Sequence, residues 1–361
     1  MIKTSAPGRI CLFGEHQDYL HLPVITAAID LRIGISGVPG AGQEFRIDLP
    51  DINGKERFAV PSPDHRVPYE KERDYFRSGF NVARRYGVQI SKGWNCTVHG
   101  NIPINSGTSS SSALCVAWIR FLTHVSEVQK PEFSDPYFVA KLAHLAEVVE
   151  FGEPGGMMDH YATAMGGLLY QEFGEKVDLQ SFEHRMGTFV LGDSLQPKDT
   201  KGILARVKFG VLDALKRIKK ENPLFDLKTA PLQEVSSYRS LLTPAQMEVL
   251  EGAILNRDIT IRAKKLMEQE TLDERELGAL LDAHHEVLAQ KLRISTEKID
   301  RMLQAAREAG ALGGKINGSG GGGCMFVYAP EDPQKVARAI ELVGGKSYII
   351  RVGTGVTVEE L

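Results

Sequence analysis

The chain has 361 residues, 42% of them hydrophobic and 25% charged, with a formal net charge of −3. That length suits one large or two medium domains with a sizeable core. The near-neutral charge leaves no electrostatic footprint for nucleic acid or an anionic membrane, and no apolar run approaches the roughly 20 residues of a membrane helix.

The opening MIKTSAPGRI lacks the basic-then-apolar layout of a signal peptide. Cys11, Cys96, Cys115 and Cys324 are scattered with no CxxC pair, which reads as reduced thiols and predicts a cytoplasmic protein. In chain order, apolar β-branched runs predict strands over 9–13, 24–29 and 31–38. A helix is predicted over 75–86, and a strand over 95–98 leads into Gly100. Helical spacing follows over 112–125 and 138–151, then a buried strand over 166–173. Helices dominate from 199 to 309, and strands over 324–328 and 348–352 close the chain. The pattern is mixed α+β. A weakly marked domain boundary falls near 185–197, around Gly187 and Pro197. The basic stretch 216–220 reads as a solvated helix face.

Four segments carry possible chemistry. The run from Pro103 through Asn105, Ser106, Gly107, Thr108, Ser109, Ser110, Ser111 and Ser112 follows a strand and opens a helix. Small residues there let the backbone approach an anion, and a helix start offers free N–H groups and a favourable dipole. The rival is a bare Ser-rich linker. No Walker A sequence is present, so any ATP site uses another architecture. The glycine-dense run through Gly318, Ser319, Gly320, Gly321 and Gly322 precedes a strand and reads as a close-approach turn, with a flexible linker as the alternative. Glu15, His16, Gln17 and Asp18 follow the first strand, where either a site or a solvated turn can sit. Asp159 follows Pro154-Gly155-Gly156 and, taken alone, reads as a helix cap.

In this order, from Pro7 to Tyr328, the segments resemble the GHMP kinases, which include galactokinase, homoserine kinase, mevalonate kinase and phosphomevalonate kinase. The first segment, Pro7-Gly8-Arg9 through Gly14-Glu15-His16-Gln17-Asp18-Tyr19, is similar to that of galactokinases. The resemblance implies a two-domain fold, with a ribosomal protein S5 domain 2-like ATP-binding domain over 1–190 and a ferredoxin-like domain over 191–361. It implies an ATP-dependent sugar kinase acting on the anomeric C-1 hydroxyl of galactose or a related sugar, as a monomer or homodimer. Asp159 and Arg9 take the catalytic positions. Glu15, His16, Asp18, Gly156 and Asp159 take the sugar-binding positions. Pro103 and Asn105 to Ser112 take the ATP positions, and Gly318 to Gly322 support the phosphate loop and substrate site. Mg²⁺ falls to Ser111, with Ser110 second, and Glu147.

Departures exist. Cys11, Gln17 and Leu20 replace residues usual in galactokinases, and the stretch with a sugar-contacting tyrosine reads Thr260-Ile261-Arg262-Ala263. The Lys315 form of the third segment is closer to mevalonate and heptose kinases. The alternatives are therefore a mevalonate or heptose-phosphate kinase, or a silent galactokinase-like sugar sensor.

Overall fold

The computed structural model describes residues 1–103, 107–197 and 200–361. Two sheets organise the molecule. The first is built from β1 (Ile2–Phe13), β2 (Val24–Pro39), β3 (Glu44–Leu49), β4 (Gly54–Ala59), β5 (Trp94–Gly100), β6 (Leu168–Phe173) and β7 (Val177–Phe182). The order β1-β2-β5-β3-β4 runs across it, and β6 pairs with the start of β2 and with β7. β2 is one 16-residue strand rather than two, because its first part pairs with β6 and its second with β5. β3 and β4 form a hairpin that the sequence reading did not single out. β3 and β5 are parallel, joined through α1 (Tyr75–Arg85).

One face of this sheet carries α1, α2 (Ser110–His124), α3 (Pro136–His144) and α4 (Met158–Met165). Their apolar sides close over Phe45, Phe80, Trp118 and Phe121. The Trp118 ring lies 5.5 Å edge-on from Phe45 and 5.7 Å stacked on Phe121, contacts that add directional energy to area burial. The predicted helix over 138–151 holds only to His144 and then widens into a π-helical turn, Leu145–Val149. Such turns commonly mark functional positions, and this one carries Glu147.

The second sheet follows β8 (Phe189–Asp193). After it come α5 (Thr200–Glu221), α6 (Leu232–Val235), α7 (Pro244–Met267), α8 (Glu274–Gln290) and α9 (Glu297–Glu308), then β9 (Gly313–Ile316), β10 (Cys324–Tyr328), α10 (Pro333–Leu342) and β11 (Lys346–Ile350). Strand order β11-β8-β10-β9, all antiparallel, is the ferredoxin-like βαββαβ arrangement. Helix starts here are chemically marked. Thr243 and Gln246 form a reciprocal capping box, and Asp273 and Asp332 accept first-turn N–H bonds. Lys216, Arg217, Lys219 and Lys220 are exposed on α5 around buried Ile218, the solvated face expected of them.

The last strand, β12 (Thr357–Glu360), returns to the first sheet and pairs with β1. A shared core of Ile10, Phe13, Leu168, Phe189, Leu281 and Phe326 joins the two halves. Among the described residues no helix is long and apolar enough to cross a membrane.

Candidate active site

The chemistry-bearing segments converge on one cavity of about 700 Å³ between the halves. Arg9, within β1, and Glu15, His16 and Asp18, in the turn that follows it, reach the wall. The serine loop supplies Gly107 and Ser109 to Ser112. Ser109 takes a left-handed φ of 60° immediately before α2, so the helix starts at the cavity with its first-turn N–H groups unused by the helix. That end is a ready anion site. Pro103 and Thr108 fasten the loop instead. The Thr108 carbonyl accepts from the Arg9 N–H at 3.2 Å, and its hydroxyl reaches the Pro103 carbonyl at 3.5 Å. Asn105 and Ser106 lie outside the described residues.

Asp159 is not the cap of α4. Met157 holds that position, and Asp159 sits in the first turn facing Arg9. The Arg9 Nε and Nη2 both lie 2.7 Å from Asp159 Oδ1, and Arg9 Nη1 donates to the Gly107 carbonyl. Burial alone would raise the Asp159 carboxyl. The Arg9 charge, with Ser109 and His160, more than offsets that and holds it below the ordinary carboxylate range. Burial likewise opposes the Arg9 charge, and Asp159 outweighs it.

Asp18 behaves oppositely. Burial, then the neighbouring Asp159 charge, push its carboxyl up. Its oxygens accept from the N–H of Tyr19 at 2.9 Å and of Met158 at 3.3 Å. A Cβ on Gly156 would lie 1.7 Å from Asp18 Oδ2, so only glycine lets this carboxylate reach under the α4 loop.

Glu147 accepts from His160 Nε2 at 2.7 Å. Its carboxyl is pushed up by burial, but His160 and the Ser111 and Ser112 hydroxyls bring it below the usual range. A charged carboxylate beside hydroxyls at an anion-binding helix start is an all-oxygen donor set, which fits Mg²⁺ shared with phosphate. Ser111 and Glu147 are the residues that would hold the ion.

Gly318 and Ser319 line the cavity, but Gly320, Gly321 and Gly322 turn away from it. Gly321 donates to the Ile294 carbonyl at 2.7 Å. A Cβ on Gly320 or Gly322 would strike Ile294 or the Pro197 carbonyl. Gln17 packs against α7, near Ala253 and Thr260. Thr260 to Ala263 lie on α7 and do not line the cavity.

Sequence reasoning passed over Arg73, Tyr75, Tyr19, Glu153, His160 and Lys315. Arg73 and Tyr75 line the wall from the chain before and at the start of α1, and Arg73 makes a bidentate pair with Glu153 at 2.9 Å. The Glu70-Lys71-Glu72-Arg73 run looks like ordinary solvated surface, so no local signal marks it. His160 adjoins Asp159, and Lys315 stands inside the third segment, so their positions were visible and only their partners were not.

Fold and cavity together are those of an ATP-using small-molecule kinase. Residues 74–167 match the GHMP kinases N terminal domain, residues 263–345 the GHMP kinases C terminal region, and residues 2–37 the galactokinase galactose-binding signature. The chain is similar to the mevalonate kinase of Pyrococcus furiosus, at 30% identity over 99% of this chain and 98% of that protein. It is also similar to the galactokinase of Mannheimia succiniciproducens, at 25% identity over 94% and 88%. The structure of Lactococcus lactis galactokinase complexed with galactose shares the fold, with a TM-score of 0.85 at 22% identity, covering 99% of this chain and 95% of that one. This chain belongs to the GHMP kinases.

Proposed function

We propose that the protein is a sugar kinase transferring the γ-phosphate of ATP to the anomeric C-1 hydroxyl of galactose or a related neutral sugar. The observation that carries this reading is the charge of the cavity wall. Among the described residues, five carboxylates (Glu15, Asp18, Glu147, Glu153 and Asp159) and two arginines line the wall; both arginines are tied to carboxylates, and Glu15 is paired with buried Lys315 behind it. An anionic acceptor beside ATP would find no unpaired arginine there. Hydroxyl groups can donate to carboxylates. The galactose-binding signature over residues 2–37 supports the same acceptor.

In this reading the start of α2 and the serine loop bind the phosphates of ATP. Ser111 and Glu147 would hold Mg²⁺, which would supply charge neutralisation to the phosphates. Asp159, kept ionised by Arg9, accepts the hydrogen bond of the C-1 hydroxyl and aims its oxygen at the γ-phosphorus. As the new P–O bond forms and ADP leaves, the hydroxyl proton passes to Asp159. A carboxylate with a depressed pKa is a weak base, so orientation is its larger contribution. Arg9 balances the negative charge that Asp159 and the transferring phosphoryl group share.

A second reading, an anionic acceptor of the mevalonate type, is favoured by Lys208. Its Nζ is held by the Pro154 carbonyl at 2.9 Å rather than by a carboxylate and lies 5.1 Å from the Tyr19 ring centroid. ADP release with Mg-ATP across D-galactose, L-arabinose, D-glucuronate, N-acetylgalactosamine, a heptose phosphate and mevalonate separates the two. Turnover on a neutral sugar is expected. Turnover confined to mevalonate or the heptose phosphate would overturn the sugar assignment.

A further inference from the structure

We propose that His160 is a positioning residue for the metal site: its ring holds Glu147 where that carboxylate meets a phosphate-bound Mg²⁺, and so sets how strongly nucleotide binding depends on the ion. This inference rests on the kinase reading of the cavity and not on which acceptor the cavity takes.

Glu147 and His160 come from different elements. Glu147 lies in the π-helical turn, which is closed by the Glu150 N–H on the Leu145 carbonyl at 3.0 Å, and His160 lies in the first turn of α4. Both line the cavity. A glutamate side chain turns about several bonds, so its direction is set by what it bonds to. An ionised carboxylate only accepts, so the 2.7 Å contact places the ring hydrogen on His160 Nε2, donating to Glu147 Oε2. The Ser111 and Ser112 hydroxyls also bond Glu147. Oε2 is committed to the ring, and Oε1 is the oxygen left for an ion.

The imidazole makes little else of its place. It is 1% exposed. Among the described residues Nδ1 has no hydrogen-bond partner, and the His144 ring stands edge-on at a centroid distance of 5.2 Å. A buried polar atom without a partner is less stable than an apolar side chain filling the same space. The bond to Glu147 is therefore what the ring supplies. Carboxylates that ligate metals are commonly held by such a neighbour, and losing it weakens metal binding about 10–100-fold.

The same turn of α4 carries Asp159. Successive residues of an α-helix point about 100° apart, so Asp159 faces Arg9 while His160 faces Glu147. One rigid turn thereby fixes the spacing between the carboxylate assigned to the acceptor hydroxyl and the carboxylate assigned to the ion. His160 acts through Glu147.

The test is calorimetric binding of ADP to the full chain, without sugar, at rising Mg²⁺. Electron paramagnetic resonance of Mn²⁺, used in place of Mg²⁺, reads the ion directly. Wild type is expected to bind ADP more tightly with Mg²⁺. If it does not, the metal site at Ser111 and Glu147 falls and this inference with it, while the sugar assignment is still decided by the acceptor panel. His160→Leu and His160→Asn both remove the bond, one with an apolar and one with a short polar side chain. In each, the Mg²⁺ concentration giving half the enhancement is expected to rise about tenfold, with affinity for metal-free ADP kept. His160→Gln, whose amide can donate to the same oxygen, is expected to restore most of the Mg²⁺ response and of the bound-Mn²⁺ signal. A wild-type Mg²⁺ response in His160→Leu or His160→Asn would overturn the inference. So would equal losses of metal-free and metal-bound ADP affinity, or failure of both to fold while His160→Gln folds, since either marks a structural role.

Discussion

Two of the ion pairs at the cavity, Arg9–Asp159 and Lys315–Glu15, differ in what surrounds them. Arg9 and Asp159 meet with the carboxylate side chain 27% exposed to the cleft, whereas Lys315 and Glu15 are sealed at 0% and 1%. The open pair keeps a carboxylate edge available to a ligand. In the sealed pair Lys315 holds Glu15 from behind, while Glu15 still lines the cavity. A charge pair near a site thus either meets a ligand or holds the residue that does, a property that residue type does not reveal.

Breaking the open pair should have the largest effect on turnover. In Asp159→Asn, kcat is expected to fall about 10³-fold while Mg-ATP binding stays near wild type, since a positioned proton acceptor is worth about 10²–10⁴. Full turnover would remove Asp159 from the chemistry. Breaking the sealed pair should act on stability instead. Lys315→Met leaves a buried uncompensated carboxylate and is expected to cost about 3–5 kcal/mol in denaturant unfolding. Adding Glu15→Gln should recover most of that loss, and no recovery would show that the lysine matters through packing alone.

The comparison sharpens at Asp18. Gly156→Ala forces a methyl into the Asp18 carboxylate. About a tenfold loss of kcat/KM is expected, since misplacing a reacting group by about 1 Å can cost 10²-fold. Wild-type kinetics would mean that Asp18 moves freely. The smallest effect is on pH dependence. Asp18 has a folded pKa above its unfolded 3.8, so its protonation favours folding, and that stability is lost as pH rises through the folded value. Asp159 and Glu147 have depressed values, so their stability is present above 3.8 and 4.5 and is lost as pH falls through the folded values. Partly buried His144 and fully buried His284 have lowered values, so their contribution is lost as pH falls from 6.5, and Tm should fall on acidification with Asp18 partly offsetting the loss. Asp18→Asn should lift the neutral Tm by about 1–3 °C and steepen the acid fall, and an unchanged profile would sink the assignment.

Much of this was legible in the sequence. The order of the segments, the glycine and serine runs and the isolated Asp159 carry the family, because backbone approach to phosphate restricts residue type locally. The β3–β4 hairpin was half legible. β3 (EFRIDL) alternates polar and apolar residues, a strand signal that was passed over, whereas β4 (GKERFA) alternates weakly and is held by pairing with β3. The π-helical turn at Glu147 was also hidden, since the apolar spacing over 138–151 suits an unbroken helix. Least legible were the partners of Glu15 and His16. Gly318 and Ser319 lie about 300 residues away, and only the meeting of the two sheets brings them close.

The return of β12 to β1 also constrains how the molecule is made. Ile2 pairs with Glu360, while β2 occupies the other side of β1. On the ribosome, the outer edge of β1 therefore waits for residues 357–360, roughly 20–70 s at ordinary elongation rates. During that interval it is an unpaired strand edge open to mispairing. The long-range closure also raises the contact order, which slows folding. The first sheet to be synthesised is thus completed by a strand from the last residues of the chain.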